Sequence, residues 1–148
     1  MSTVRDSIEV NVPVTTAYNQ WTQFEDFPKF MGDVEEVRQV DDKHLHWRAK
    51  VAGKEVEWDA EIIEQVPDQR IAWRSIKGQK NGGIVTFEPM NDTTTRVHVE
   101  MEYEPEGMME NVGDAMGMTG RRVHSDLEEF KKMVEERGAT GAWRGEIH

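Results

Sequence analysis

From Asp33 to Pro105 the apolar residues of this chain fall at every second position, and beyond Pro105 the period lengthens to that of a helix. Side chains point to alternate faces of a strand, so a period of two buries one face and wets the other. Val34–Val40 ends at Asp41-Asp42, and His44–Ala52 places Leu45, Trp47, Ala49 and Val51 on one face. Glu55–Val66 aligns Val56, Trp58, Ala60 and Ile62, with Glu55, Glu57, Asp59 and Glu61 opposite. Arg70–Ile76 groups Ile71, Trp73 and Ser75, Ile84–Met90 pairs Val85 with Phe87, and Thr94–Tyr103 aligns Val97, Val99, Met101 and Tyr103. The connections Ala52-Gly53-Lys54, Pro67-Asp68-Gln69, Asn81-Gly82-Gly83 and Met90-Asn91-Asp92 are short and made of turn formers. They predict antiparallel hairpins between neighbours.

The flanks of this meander complete the plan. Arg5–Val12 alternates as a further strand with Ile8, Val10 and Val12 inward. Thr15 or Thr16 caps a short helix running to Phe24, and Asp26 caps a second one that stops at Gly32. After Glu104-Pro105-Glu106-Gly107, the residues Met109, Val112, Met116, Val123, Leu127, Phe130 and Val134 form one apolar stripe. That stripe predicts a helix of about thirty residues, or about 45 Å, ended by Gly138. The expected class is α+β: a curved seven-stranded antiparallel sheet, two short helices after the first strand, and a long C-terminal helix covering one sheet face. Residues 1–138 form a single domain and 139–148 a loose tail.

Composition narrows the partners. The chain of 148 residues carries 18 Lys and Arg against 29 Asp and Glu, a net charge of −11 that disfavours nucleic acid and anionic lipid. No apolar run approaches the roughly 20 residues that span a bilayer, and the N-terminus lacks a signal-peptide core. With no Cys there are no disulfides, thiolate metal sites or Cys nucleophiles, which fits a cytoplasmic location. Apolar residues are only 36 %, yet five Trp, five Phe and nine Met argue for a folded core.

The chain resembles the SRPBCC superfamily, which includes START domains, polyketide cyclase/dehydrase proteins and the birch-pollen allergen. The resemblance covers residues 4–137. It rests on Ser7-Ile8-Glu9-Val10, on Val12-Pro13-Val14 leading into Ala17-Tyr18 and Trp21, and on Phe27-Pro28-Lys29-Phe30-Met31. The strands Trp58-Asp59-Ala60-Glu61-Ile62 and Ile71-Ala72-Trp73-Arg74-Ser75 and the late helix with Asp126, Leu127 and Phe130 extend it. The resemblance implies a helix-grip fold with a cavity between the concave sheet and the long helix. Apolar molecules such as lipids, quinones or polyketides occupy that cavity in the superfamily.

On that reading Trp47, Trp58, Trp73, Phe87, Met101 and Tyr103 line the cavity from the strands, and Met109, Val112 and Met116 from the helix. Phe30 closes its mouth, and Ser75, Tyr103 or His124 orients a polar group of the ligand. No catalytic constellation accompanies them: Ser75 lacks a nucleophile elbow, and the acidic residues alternate outward. His44, His46 and His98 belong to the solvated face, so no metal and no cofactor is expected. Binding of a small hydrophobic or amphipathic molecule is the expected function. A cyclase, aromatase or dehydratase of polyketide-like substrates is the enzymatic alternative, and a protein-interaction module with a collapsed cavity is the third.

Overall fold

The computed structural model describes residues 2–31, 34–51, 54–78, 81–103 and 115–137, with side chains over 3–31, 34–50, 55–77, 81–102 and 123–137. The strands are β1 (Ser2–Val10), β2 (Val34–Gln39), β3 (His44–Val51), β4 (Lys54–Val66), β5 (Arg70–Gly78), β6 (Asn81–Asn91) and β7 (Thr94–Tyr103). They form one seven-stranded antiparallel sheet in the order β1-β7-β6-β5-β4-β3-β2. Consecutive strands from β2 to β7 are neighbours, as the short turns demand, and β1 joins last, with Ser2 opposite Tyr103 and Val10 opposite Thr95. The register slips at Asp59/Ala60, at Ile62/Glu64 and at Pro89/Asn91. Each extra residue bends its strand and adds twist, which curls the sheet. Alternation puts Ile62 inward at 1 % exposure and its neighbour Ile63 outward at 40 %.

Helix α1 (Val14–Trp21), a 3-10 helix (Phe24–Lys29) and α2 (Ala115–Arg137) complete the fold. The local signals for the first two shift by a few residues. The N-cap of α1 is Pro13, in extended conformation and with no side-chain cap. Its carbonyl accepts from the Ala17 N–H at 3.1 Å, so the helix starts at Val14 and Thr16 is buried inside it. Asp26 lies within the 3-10 turns and pairs with Lys29 and Arg137, at 3.1 and 3.0 Å, instead of capping a helix. Asn81, Gly82 and Gly83 belong to β6 and not to a turn. Helix α2 spans 23 described residues, about 35 Å, and buries Val123, Leu127, Phe130 and Val134 at its stripe. The start of that helix near Met109 and Val112, and the 139–148 tail, lie outside the described residues.

The core is an aromatic cluster at which the helical segments meet the sheet. The Phe130 ring of α2 lies 4.9 Å from Trp21 of α1 and 5.3 Å from Phe30, both at steep angles. Trp21 and Tyr18 reach Phe87 on β6 at 6.4 and 5.6 Å, and Phe27 meets Trp47 on β3 at 5.5 Å. Such edge-to-face pairs add about 0.5–1.5 kcal/mol each beyond their buried area.

Both sheet edges are protected. β2 is short and presents Glu35, Glu36 and Arg38, and its Gln39 N–H donates to Glu25 Oε2 at 3.1 Å. β1 is covered by α2: Lys131 Nζ donates to the Glu9 carbonyl at 3.1 Å, and the Asn11 N–H donates to Glu135 Oε2 at 2.8 Å. Among the described residues no helix is long and apolar enough to cross a membrane.

Phe130 is 0 % exposed at the centre of this cluster. Phe130→Ala is expected to lower stability by about 3–5 kcal/mol. Lys132→Ala, at a side chain 70 % exposed, is expected to change it by less than about 0.5 kcal/mol. Urea unfolding followed by circular dichroism checks both.

Candidate functional site

Residues directly opposite in an antiparallel pair share a face, so the strand register defines which side chains line the concave side. Along the strands that side changes from sealed to open. Ile62, Ile71, Val85, Phe87 and Val97 are no more than 3 % exposed, beneath α1, the 3-10 helix and the Val123–Val134 stretch of α2. Toward the other strand ends, Trp58, Trp73, Ser75, Asn81, Gly83 and Met101 are all only partly buried.

Contacts along β1 set the direction in which α2 runs. His124 Nδ1 meets Asp6 Oδ2 at 2.8 Å, Lys131 reaches Glu9, and Glu135 reaches Asn11. Seven helical residues cover about 10 Å and three strand residues cover the same distance, so the two elements travel side by side. The 115–122 part of α2 therefore runs toward the β1 end that pairs with Met101 and Tyr103, which is the open half of the floor.

The floor is aromatic with polar atoms set into it. Trp73 lies in register with Ile62 on β4 and Gly83 on β6. A Cβ at Gly83 would fall 2.8 Å from Trp73 Cζ2 and Cη2 and 2.7 Å from the Glu100 carbonyl oxygen. Only glycine lets the indole occupy that place. Trp47 and Trp58 stack with centroids 5.5 Å apart and planes 11° apart. Their Nε1 atoms are buried with no hydrogen-bond partner among the described residues, as are both amide atoms of Gln20 in α1. A buried donor left unpaired costs about 1–3 kcal/mol. Ser75 Oγ accepts from the Asn81 N–H at 3.3 Å.

The residues expected from sequence separate into distinct groups. Trp58, Trp73, Ser75 and Met101 lie on the open floor. Phe30, Trp47 and Phe87 are 3, 8 and 3 % exposed and pack inside the core cluster. His124 faces outward, its side chain 57 % exposed between Asp6 and Glu128, and away from the interior. The stripe puts Val123 inward, and the next residue along the helix falls on the flank beside β1. The side chains of Tyr103, Met109, Val112 and Met116 lie outside the described residues. Asn81, Gly83 and Gln20 were not anticipated. The first two carry turn-forming identities, and a lone polar residue on a short helix gives no burial signal.

The convex side holds a charge ladder. His44, His46, Arg48 and Lys50 on β3 stand opposite Glu61, Asp59, Glu57 and Glu55 on β4. His46 places Nδ1 2.6 Å from Asp59 and Nε2 3.1 Å from Glu57, so both ring nitrogens donate only in the imidazolium form. The Asp59 hydrogen bond first, and the Glu57 one second, hold its pKa above the ordinary value. Asp41 acts likewise on His44. A groove of about 510 Å³ crosses the same side between β1, β7 and β6, lined by charged and polar groups that include Arg5, His98 and Glu100. Among the described residues no group of three or more His, Asp or Glu is placed to hold a metal.

A curled seven-stranded sheet gripping a C-terminal helix, with an open apolar floor turned toward that helix, defines the helix-grip class of the SRPBCC superfamily. The chain belongs to the family described as polyketide cyclase / dehydrase and lipid transport, whose model matches residues 10–132. It is similar, at 50 % identity over 149 residues and 99 % of both chains, to an uncharacterized 17.2 kDa protein in the melC2-rnhH intergenic region of Streptomyces lincolnensis. A crystal structure from Deinococcus radiodurans aligns with a TM-score of 0.73 at 28 % identity, covering 92 % of this chain and 99 % of that one. The Zhui aromatase/cyclase from Streptomyces sp. R1128 aligns with a TM-score of 0.75 at 14 % identity, over 94 % of this chain and 99 % of that one. At that identity the likeness is one of fold.

The ladder gives stability a definite pH dependence. A folded pKa raised above 6.5 means the His46 contribution is fully present below that pH and is lost as pH rises through the folded value. Urea midpoints measured between about pH 6 and about pH 9 are expected to fall with rising pH, and less steeply in His46→Gln.

Proposed function

We propose that the protein binds a small hydrophobic or amphipathic molecule between the concave sheet face and α2. The observation that carries this reading is the division of that face. One half is sealed to within a few per cent, while the other leaves Trp58, Trp73 and Met101 partly open beside the helix. Large apolar side chains half-open on a concave surface are what an apolar ligand covers. At about 25 cal/mol per Å², covering roughly 200 Å² of apolar surface contributes about 5 kcal/mol. The buried indole N–H of Trp58, on the open floor, only donates, which favours a ligand with an oxygen acceptor over a pure hydrocarbon. The family description, with its lipid-transport part, supports the same reading.

A cyclase- or aromatase-type reaction on the bound molecule is a second reading, favoured by the cyclase/dehydrase part of that description. The hydroxyl of Ser75 is the polar side-chain group on the open floor nearest to such a role, with Tyr103 two positions from Met101 on β7. The protein works in the cytoplasm on this reading, with a small molecule as its partner and no nucleic acid.

Native mass spectrometry of the purified protein, followed by a thermal-shift screen of lipids, quinones and polyketide mimics, tests the proposal. Co-purified ligand or a rise in melting temperature that scales with ligand concentration is expected. Absence of both across the whole screen would sink it.

A further inference from the structure

We infer that the convex face carries a separate site, in which Ser7, His98 and Glu88 act on short-chain carboxylic esters as nucleophile, base and orienting carboxylate. The site lies in the groove of about 510 Å³ across β1, β7 and β6, on the other side of the sheet from the concave floor. It stands independently of the ligand reading above. Ser7 of β1 and Thr86 of β6 both lie directly opposite His98 of β7, one on each side. The backbone tells the two hydroxyls apart. Along β1 the Ser7 N–H donates to Asp6 Oδ1 at 2.8 Å, the Glu9 carbonyl accepts from Lys131 at 3.1 Å, and the Asn11 N–H donates to Glu135 at 2.8 Å. These odd-numbered residues turn their backbone polar groups away from β7. Ser7 and His98 are therefore a non-hydrogen-bonded pair, with Cα atoms about 4.5 Å apart and side chains close. By alternation, His98 and Thr86 form the wider kind of pair, at about 5.5 Å. Ser7 is the nearer hydroxyl.

Glu88 orients the ring. Its Oε1 lies 3.2 Å from His98 Nε2. A carboxylate only accepts, so a neutral His98 carries its proton on Nε2 and its lone pair on Nδ1. The two nitrogens lie on opposite sides of the ring and Glu88 belongs to β6, so Nδ1 is turned toward β1 and Ser7. A hydroxyl beside a base that a third group orients is what nucleophilic catalysis requires. Arg5, two residues before Ser7 on the same face, donates to Glu100 Oε1 at 3.1 Å, and its remaining N–H groups are donors for the carbonyl oxygen of an ester seated beside Ser7. Ile84, opposite Glu100, supplies an apolar wall for a short acyl chain. Ser7 Oγ bonds to the carbonyl carbon as its proton passes to His98 Nδ1, the bond to the alkoxy oxygen breaks, and the alcohol leaves with that proton. Water then attacks the acyl group and gives a proton to Nδ1, the acyl–Oγ bond breaks, Ser7 recovers the proton, and a carboxylic acid is released.

The probe is p-nitrophenyl acetate, with nitrophenolate release by the full chain followed by absorbance. Turnover above the rate in buffer is expected, and peptide mapping after acid quenching is expected to find an acetyl group on Ser7. Ser7→Ala and His98→Gln are each expected to lower the rate about a hundredfold, and Thr86→Ala to leave it within about twofold. Ser7 and Thr86 are exposed, so neither alanine variant threatens the fold. Turnover no faster than in buffer overturns the proposal. A rate lost in His98→Gln but kept in Ser7→Ala leaves the imidazole acting alone and overturns the nucleophile, as does an acetyl group mapped only to lysines. Equal loss in Ser7→Ala and Thr86→Ala overturns the pairing of Ser7 with His98. Each of these outcomes leaves the reading of the concave floor as it was.

Discussion

The contact of Phe130 with Trp21 and Phe30 is what makes one domain of separate pieces. The helical segments bring these rings together, and Trp21 and Phe27 carry the cluster onto Phe87 and Trp47 of the sheet. The alternation of β-strands makes a sheet with an apolar face, but a sheet alone leaves that face wet. Helix α2 closes it because a ring at the middle of its stripe inserts at 4.9 Å from a Trp that is itself fixed against Phe27 and Phe87. The polar contacts of His124, Lys131 and Glu135 with Asp6, the Glu9 carbonyl and the Asn11 N–H align the helix but are exposed, and such contacts contribute little. Orientation comes from charge, and attachment comes from the aromatic cluster.

Because the cluster lies at one end, the other end of the concave face is free to do something else. Tyr18, Trp21, Phe24, Phe27 and Phe30 all come from residues before β2, so the bulky material that fills the curl is delivered to the half beneath α1 and the 3-10 helix. No comparable insertion among the described residues reaches Trp73, Gly83 and Met101. The same packing that stabilises the domain thus defines where it stops.

How much of this could be read from sequence depends on whether the signal was local. The strand count and the antiparallel order follow from a period of two and short turns, both local, and the α2 stripe from Val123 to Val134 follows from a period near 3.6. Bulges are not local. After the Ile62/Glu64 slip it is Gln65, opposite Ile71 and 2 % exposed, that turns inward in place of Glu64, and only the pairing of β4 with β5 decides it. Gly82-Gly83 after Asn81 carries every mark of a turn, yet Gly83 is a strand glycine required by a ring from the next strand. The spacing of the α2 stripe puts His124 on the flank of Val123, but that Asp6 of β1 meets it there is set by the docking of the helix. Of the candidate site, the aromatic floor was therefore legible residue by residue, while the line dividing core from floor was not. Trp47 and Trp58 face each other across two strands with identical local patterns, and only the 3-10 helix over Trp47 tells them apart.

The acidic excess that first separated this chain from nucleic-acid binders has its own geometry. On the convex side of β3 and β4 the charges are sorted by strand, cations on one and anions on the other, so opposite charges face each other where the strands lie side by side. Two of those four β3 residues are His44 and His46, and the carboxylates on either side favour the charged form of both. Their charge is therefore conditional on pH, while that of Arg48 and Lys50 is not. On the open part of the concave floor the described residues Trp58, Trp73, Ser75, Asn81 and Met101 are uncharged at any pH near neutrality. The pleat separates the two chemistries: a change of pH alters the outer ladder and the stability it supports, and leaves the polarity of the inner floor as it was.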